Sequence, residues 1–246
     1  MNKTKIEWAT MTWNPITGCL HDCTYCYARK IAERFGSVLK EDIEEHRNQQ
    51  IHVVDRKKHC PYPFVFEPTF HRYRLDEPSK KTKGQNIFVC SMADLFGEWV
   101  PDEWIKEVFR VCEAAPQHNY LFLTKNPERY VNTELPIAKN FWYGSTLTDM
   151  NSEFVCKHDD SKGNYFLSIE PILEKVYIHS LNKIDWIIIG AETGNRKGKV
   201  IPEKSWIDNI VEQCKAVDVQ VFMKDSLIPV MGEENMLREF PKELRK

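Results

Sequence analysis

Long apolar runs are missing from this chain of 246 residues; the longest, around Trp186 to Ile189, is only a handful of residues. A transmembrane helix needs about 20, so a membrane-spanning helix is excluded. The opening stretch MNKTKIEW carries charge without the apolar core of a secretory signal. The expectation is a cytoplasmic protein that makes no membrane contact. An excess of one charge sign is missing too. Lys and Arg number 34 against 36 Asp and Glu, a formal net charge of −2, so no global positive field holds nucleic acid, and any such binding must come from a local patch. Internal repeats and low-complexity segments are absent. With 42% hydrophobic and 28% charged residues the composition is ordinary and globular, which excludes disorder and collagen-like structure. The length suits a single domain over residues 1–246.

What is there is a series of short apolar runs at regular intervals: IFVCS from Ile87, YLFLT from Tyr120, FWYGS from Phe141, YFLSI from Tyr165, WIIIG from Trp186 and VQVFM from Val219. Between them lie helical patterns. Pro101 to Ala114 places Trp104, Ile105, Val108, Phe109 and Cys112 on one face behind a first-turn proline, and Glu203 to Ala216 does the same with Ile207, Ile210, Val211 and Cys214. Runs apolar on both alternating faces suit parallel strands buried on both sides. The fold class is α/β. With a further strand near Thr12 to Thr17, six or seven parallel strands suggest a partial or full TIM-type (β/α) barrel.

Residues 36 to 84 fit no strand-helix period and read as an irregular insertion between the first helix and the second strand. Residues 46 to 83 hold nine Lys and Arg against four Asp and Glu, with four histidines besides. This is the local basic patch that the net charge conceals, and Tyr62, Phe64, Phe66, Phe70 and Tyr73 are interleaved with it. Rings among cations can stack on bases; they can equally be the insertion's own small core. A nucleotide or nucleic-acid partner is the functional expectation, and a solvated structural segment is the plain one.

Eight cysteines are not a disulfide framework in a chain of this length and expected compartment. Cys60, Cys90, Cys112, Cys156 and Cys214 stand singly and read as small buried hydrophobes. Cys19, Cys23 and Cys26 differ. Spaced C-x3-C-x2-C in WNPITGCLHDCTYCYARKIAERFG, three thiolates can hold three corners of a cubane iron–sulfur cluster and leave one iron without a protein ligand. Gly18 permits a sharp turn into the loop, and a helix carrying Ala28, Ile31, Ala32, Phe35 and Leu39 begins as soon as the third thiol is placed. Three other readings stand beside this one. Zinc takes a fourth ligand in a structural site, for which His21, His59 or Cys60 is available. A redox thiol pair and a chance grouping of core cysteines complete the alternatives.

At these residues the sequence resembles the radical S-adenosylmethionine (SAM) superfamily, whose usual signature is C-x3-C-x2-C with an aromatic residue, here Tyr25, before the third cysteine. The set IEWATMTWNPITGC, CTYCYARKIAERF, VCSMADLFGEWVP, FLTKNP, SIEPIL and WIIIGAETG is similar, more closely, to a phage- and bacteria-associated radical-SAM-like family of mostly unassigned function. The resemblance implies a [4Fe-4S] cluster on Cys19, Cys23 and Cys26. It implies SAM bound at the open iron and cleaved by one electron to methionine and a 5′-deoxyadenosyl radical, which takes hydrogen from an unidentified substrate. An electron donor such as flavodoxin or ferredoxin is implied as well. SAM would lie across the strand ends, so its contacts are expected among Tyr25, Ser91, Asp94, Thr124, Lys125, Ser168, Glu170, Glu192, Thr193 and Lys224. Where the superfamily often has Gly-Gly-Glu, this chain has Ser-Met-Ala-Asp. The plain reading of each such residue is a helix cap or a surface pair. Cys90, adjacent to Ser91 on the alternating strand, is expected to face the outer helices, and Trp8, Trp13 and Asn14 are placed to shield the cysteine loop. The rival from another class is a non-catalytic zinc- or cluster-stabilised protein that binds nucleic acid.

Overall fold

The run Trp186–Ile189 is apolar at every position, and it forms a strand buried on both faces, the environment that a residue pattern without alternation requires. The same rule carries all six apolar runs into strands. The computed structural model describes residues 1–38, 49–148 and 164–245. The chain divides into two compact units, Met1–Phe122 and Leu123–Lys246. Among the described residues no helix is long and apolar enough to cross a membrane.

In the first unit the main sheet joins β1 (Asn2–Lys3) antiparallel to β2 (Met11–Trp13). A second, smaller sheet takes β3 (Ile16–Thr17), β4 (His52–Val54) and β5 (Thr69–His71) in the order β3-β5-β4. Helix α1 (Tyr27–Phe35) follows the third cysteine; Leu39, expected on this helix, lies outside the described residues. The main sheet continues with β6 (Asn86–Val89), parallel to β2, and β7 (Asn119–Thr124), parallel to β6. Between these two strands runs α2 (Asp102–Ala114), with Pro101 as its N-cap and Asp102 and Glu103 in the first turn, where carboxylates favour the helix dipole. Its buried face is the expected one: Trp104, Ile105, Val108, Phe109 and Cys112.

The second unit opens with the single turn α3 (Arg129–Asn132). Its strands β8 (Phe141–Thr146), β9 (Asn164–Ile169), β10 (Trp186–Ile189) and β11 (Gln220–Met223) are parallel neighbours in chain order. Helix α4 (Lys204–Lys215) connects β10 to β11 and buries Ile207, Ile210, Val211 and Cys214. The short α5 (Ile228–Met231) follows.

The barrel expectation is wrong. A TIM-type barrel needs a helix after each strand and strand pairing that closes into a ring. Between β9 and β10 the chain makes only a 3-10 turn at Leu181–Lys183, and α3 is one turn long. The far edge of β11 is taken by the chain's own C-terminal segment: Met223 N donates to Leu237 O and Glu239 N to Val221 O, around an antiparallel bridge between Phe222 and Arg238. In the first unit β1 is antiparallel to β2, an arrangement that such a barrel does not contain. The fold is mixed α/β with mostly parallel, open strand series.

The insertion also has more order than its sequence suggests. It supplies β4 and β5, and its rings turn inward: Phe64 stacks on His52 at 3.7 Å with planes 6° apart, and Phe70 lies 5.1 Å from Trp104. Phe64, Phe66 and Phe70 are buried. They form the segment's core, the plainer of the two readings, and any capture of an anion here rests on its charges.

Candidate functional site

Within the first unit, the cysteine loop is clasped from two sides before its first thiol. Gly18 N donates to Met92 O at 2.9 Å, and Cys19 N donates to Phe66 O at 3.2 Å. Gly18 sits at φ +85°, and a Cβ there would lie 2.2 Å from the Glu67 carbonyl oxygen. Only glycine fits this approach. The loop then turns, with Cys26 N donating to Cys23 O at 3.1 Å, and Cys26 becomes the N-cap of α1, its Sγ accepting from Arg29 N at 3.4 Å.

Cys19, Cys23 and Cys26 are free thiols, each partly buried. Burial pushes the Cys19 thiol up to about 12; a backbone hydrogen bond at His21 opposes this, while Asp94, Cys23 and Cys26 are near enough to reinforce it. The three sulfurs therefore share one neighbourhood. Cys19 and Cys26 also pack beside Ala28, Ala32, Phe66 and Met92. Among the described residues, no three His, Cys, Asp or Glu side chains are grouped so as to hold a single metal ion. A cubane cluster makes a different demand, because its thiolates bind separate irons at separate corners and stand farther apart than donors around one ion. Three free thiols on one tethered, partly open loop fit that donor chemistry. Of the zinc alternatives, His21 and Cys60 are otherwise engaged: His21 Nε2 contacts Asp94 Oδ2 at 2.8 Å, and Cys60 Sγ donates to Phe35 O at 3.2 Å.

The expected residues that follow β6 are brought to this loop. Asp94 is buried; one oxygen meets His21 and the other accepts from Phe96 N at 2.9 Å. Ser91 Oγ donates to Asn14 Oδ1 at 3.1 Å, and Ser91 O accepts from Tyr27 OH at 2.6 Å. Asn14 Oδ1 also accepts from Met92 N, so it braces the segment that follows β6. Tyr25 is partly buried within the loop. Cys90 is buried and close to Cys112 of α2; it lies just past the end of β6 with φ 57°, so strand alternation does not set its direction. Two contributors escaped the sequence reading, Tyr27 and the 66–67 backbone, because the contacts they make join segments far apart in the chain.

In the second unit, Glu170, Gly190 and Lys224 meet at the ends of β9, β10 and β11. Lys224 Nζ pairs with Glu170 Oε1, and a Cβ on Gly190 would lie 3.2 Å from Lys224 Cδ and 3.3 Å from Glu170 Cγ. Glu192 is buried and gripped by Arg196, Nε to Oε1 at 2.6 Å and a terminal nitrogen to Oε2 at 2.7 Å. That fork holds the Glu192 carboxyl below its usual range despite burial. Thr124 is buried, with Oγ1 accepting from Asn126 N at 2.9 Å; Lys125 is partly buried, Ser168 is buried within β9, and Thr193 is exposed. Both carboxylates, Glu170 and Glu192, thus have cationic partners within the chain.

One protein-family model, described as "Protein of unknown function (DUF5131)", matches residues 3–232. The chain belongs to this family. The DUF5131 match takes in all three cysteines and every strand-end residue from Ser91 to Lys224. Comparison with curated proteins and with solved structures gave no match. Membership in DUF5131 therefore brings no activity with it, and a functional reading rests on the residues.

Proposed function

We propose that this protein is an enzyme of the radical SAM type that carries a [4Fe-4S] cluster on Cys19, Cys23 and Cys26 and acts on a substrate not yet identified. The observation that carries the reading is the cysteine loop: three free thiols at C-x3-C-x2-C spacing, tethered at Gly18 and Cys19 and ending on the first turn of α1. When bound, the cluster and SAM would supply a one-electron cleavage that yields methionine and a 5′-deoxyadenosyl radical for hydrogen abstraction. The chain's part is to hold three thiolates and to keep the loop in shape. Asp94, through His21 and Phe96 N, ties the loop to the segment after β6.

Anaerobic reconstitution tests this. The expected result is about four irons and four sulfides per chain, with 5′-deoxyadenosine formed from SAM under dithionite. Colourless protein carrying one zinc would sink the reading and restore the non-catalytic alternative.

A further inference from the structure

Arg29, in the first turn of α1, ties three parts of the cysteine loop together. Its backbone N donates to Cys26 Sγ at 3.4 Å. A terminal nitrogen of its guanidinium donates at 2.9 Å to Oδ1 of Asp22, which lies between the first and second thiols. The guanidinium carbon stands 4.8 Å from the centre of the Phe66 ring, and that ring packs in the group to which Cys19 and Cys26 belong. Phe66 holds Cys19 a second time, through its carbonyl. A carboxylate at the end and an aromatic face beneath are the setting that a planar guanidinium suits and an ammonium does not. One donor is left over. The side chain as a whole is 34% exposed, yet Arg29 Nε is buried and meets no acceptor among the described residues. Water reaches the outer end of the fork, where Asp22 is exposed, and does not reach Nε. A buried N–H without an acceptor is costly and asks for a reason; a bound group that brings its own acceptors is one.

We propose that Arg29 Nε–H donates to a sulfur of the bound iron–sulfur cluster and raises the cluster's reduction potential. The inference rests on the proposed function, which places that cluster on Cys19, Cys23 and Cys26. A cubane cluster presents sulfur acceptors on its surface, and hydrogen bonds to those sulfurs together with the local charge set its potential. Reduction makes the cluster more negative by one unit. A donor and a positive charge both favour that form, so the reduced cluster is easier to reach with Arg29 in place. One electron passes from an external reductant, dithionite in the test below, to the cluster; Arg29 keeps its proton, and no covalent bond forms or breaks. Arg34 supplies the comparison. It carries the same charge on the same helix, but it is exposed, about two turns beyond Cys26, with its guanidinium over the Phe35 ring.

The test uses the reconstituted full chain and reads the midpoint potential of the cluster by electron paramagnetic resonance in a dithionite titration. Arg29→Met keeps the stem and removes donor and charge. It is expected to lower the midpoint by at least the equivalent of a tenfold change in the reduction equilibrium, about 59 mV for one electron. Arg29→Lys keeps a charge but has a methylene where Nε was, and should lower the midpoint by less. Arg34→Met should leave it at the parental value. Iron and sulfide content and the urea midpoint show that each variant is loaded and folded; if Arg29→Met takes up no cluster, Arg29→Lys decides. A parental potential in loaded Arg29→Lys overturns the hydrogen bond. An equal drop in Arg34→Met overturns it as well, by assigning the effect to overall charge. So does weaker SAM binding at an unchanged potential, which would give the N–H to SAM, and so does loss of the cluster from both Arg29 variants, which would make the residue a requirement of assembly instead of a tuner. The two readings are told apart by the parent. A parent chain that takes up no iron and sulfide overturns both; a parent that holds the cluster and cleaves SAM under dithionite, beside loaded Arg29 variants at the parental potential, overturns only this one.

Discussion

His21 and Asp94, separated by 73 residues, meet at 2.8 Å between Nε2 and Oδ2. The contact fastens the cysteine loop to the segment that follows β6, and the His21 and Trp99 rings meet in a T-shaped arrangement with centroids 4.9 Å apart. Asp94 is buried, and its second oxygen is used by Phe96 N. It is a structural tie beside the thiols before it is anything else.

Replacing Asp94 by Ala should therefore lower stability by about 1–3 kcal/mol, because it leaves a buried backbone N–H and an imidazole without their acceptor. Urea unfolding measures the loss. Asp94→Asn, which keeps one oxygen for Phe96 N, should recover part of it; equal losses in the two variants would show that the carboxylate's charge alone matters.

Cluster assembly separates the cysteines. In Cys19→Ala, Cys23→Ala and Cys26→Ala the iron and sulfide content should drop to background, whereas Cys60→Ala, Cys90→Ala, Cys112→Ala and Cys214→Ala should retain it. Cys112 and Cys214 line the buried faces of α2 and α4, so their replacement should register as a modest stability loss, with metal content unchanged. A full cluster in Cys23→Ala would falsify the ligand assignment.

Gly18→Ala should be among the costliest small substitutions in the chain. A Cβ at 2.2 Å from the Glu67 carbonyl oxygen has no room, and φ +85° is a conformation that a side chain resists. The expected loss exceeds about 1 kcal/mol, read from the urea midpoint, and iron uptake should fall with it as the loop is pushed off the 66–67 backbone. Normal midpoint and normal uptake would mean that this close approach does not shape the loop.

His71 sets an acid limit on the first unit. It is fully buried, and its Nε2 lies 2.8 Å from Thr17 Oγ1. Burial first, and then the Arg74 charge, lowers its pKa to about 3. Since the folded protein refuses a proton that the unfolded chain accepts near pH 6.5, stability attributable to this group is whole above about pH 6.5. It declines as pH falls toward about 3, with a slope of up to about 1.4 kcal/mol per pH unit. Urea unfolding at pH 8 and pH 5 checks the sign: the parent should lose more stability over that interval than His71→Gln, which cannot titrate. An equal loss in both would assign the acid sensitivity to other groups.

The strands were legible because burial on both faces leaves a mark that survives in sequence: six apolar runs, six strands. Helices α1, α2 and α4 were legible for the same reason at a different period, and the cysteine loop because thiol spacing is local. Closure was not. Regular spacing between strands does not report what fills the gap, and between β9 and β10 it is a 3-10 turn. Nor does any alternation around Arg238 announce that this segment will edge β11. The ties of the candidate site were hidden for a related reason. His21 with Asp94, Ser91 with Asn14 and Gly18 with Glu67 are encounters between remote segments, each made by ordinary polar groups. The insertion misled in detail because β4 and β5 are three residues each, too short for a period to show, and because rings between cations look alike whether they face solvent or a private core.

The cover that residues 237–239 give to β11 has a consequence for the molecule's behaviour among its own copies. A strand of apolar residues such as Val221, Phe222 and Met223, stripped of its neighbour, offers unpaired amides and carbonyls to any passing strand. Arg238 fills that position with a charge, and its guanidinium bonds Met223 O and Asp225 while lying 5.1 Å over the Phe222 ring. The tail thus occupies an edge at which a strand of another copy could otherwise add, and Arg238→Ala, which removes the charge from that edge, should raise the tendency to self-associate, read by light scattering.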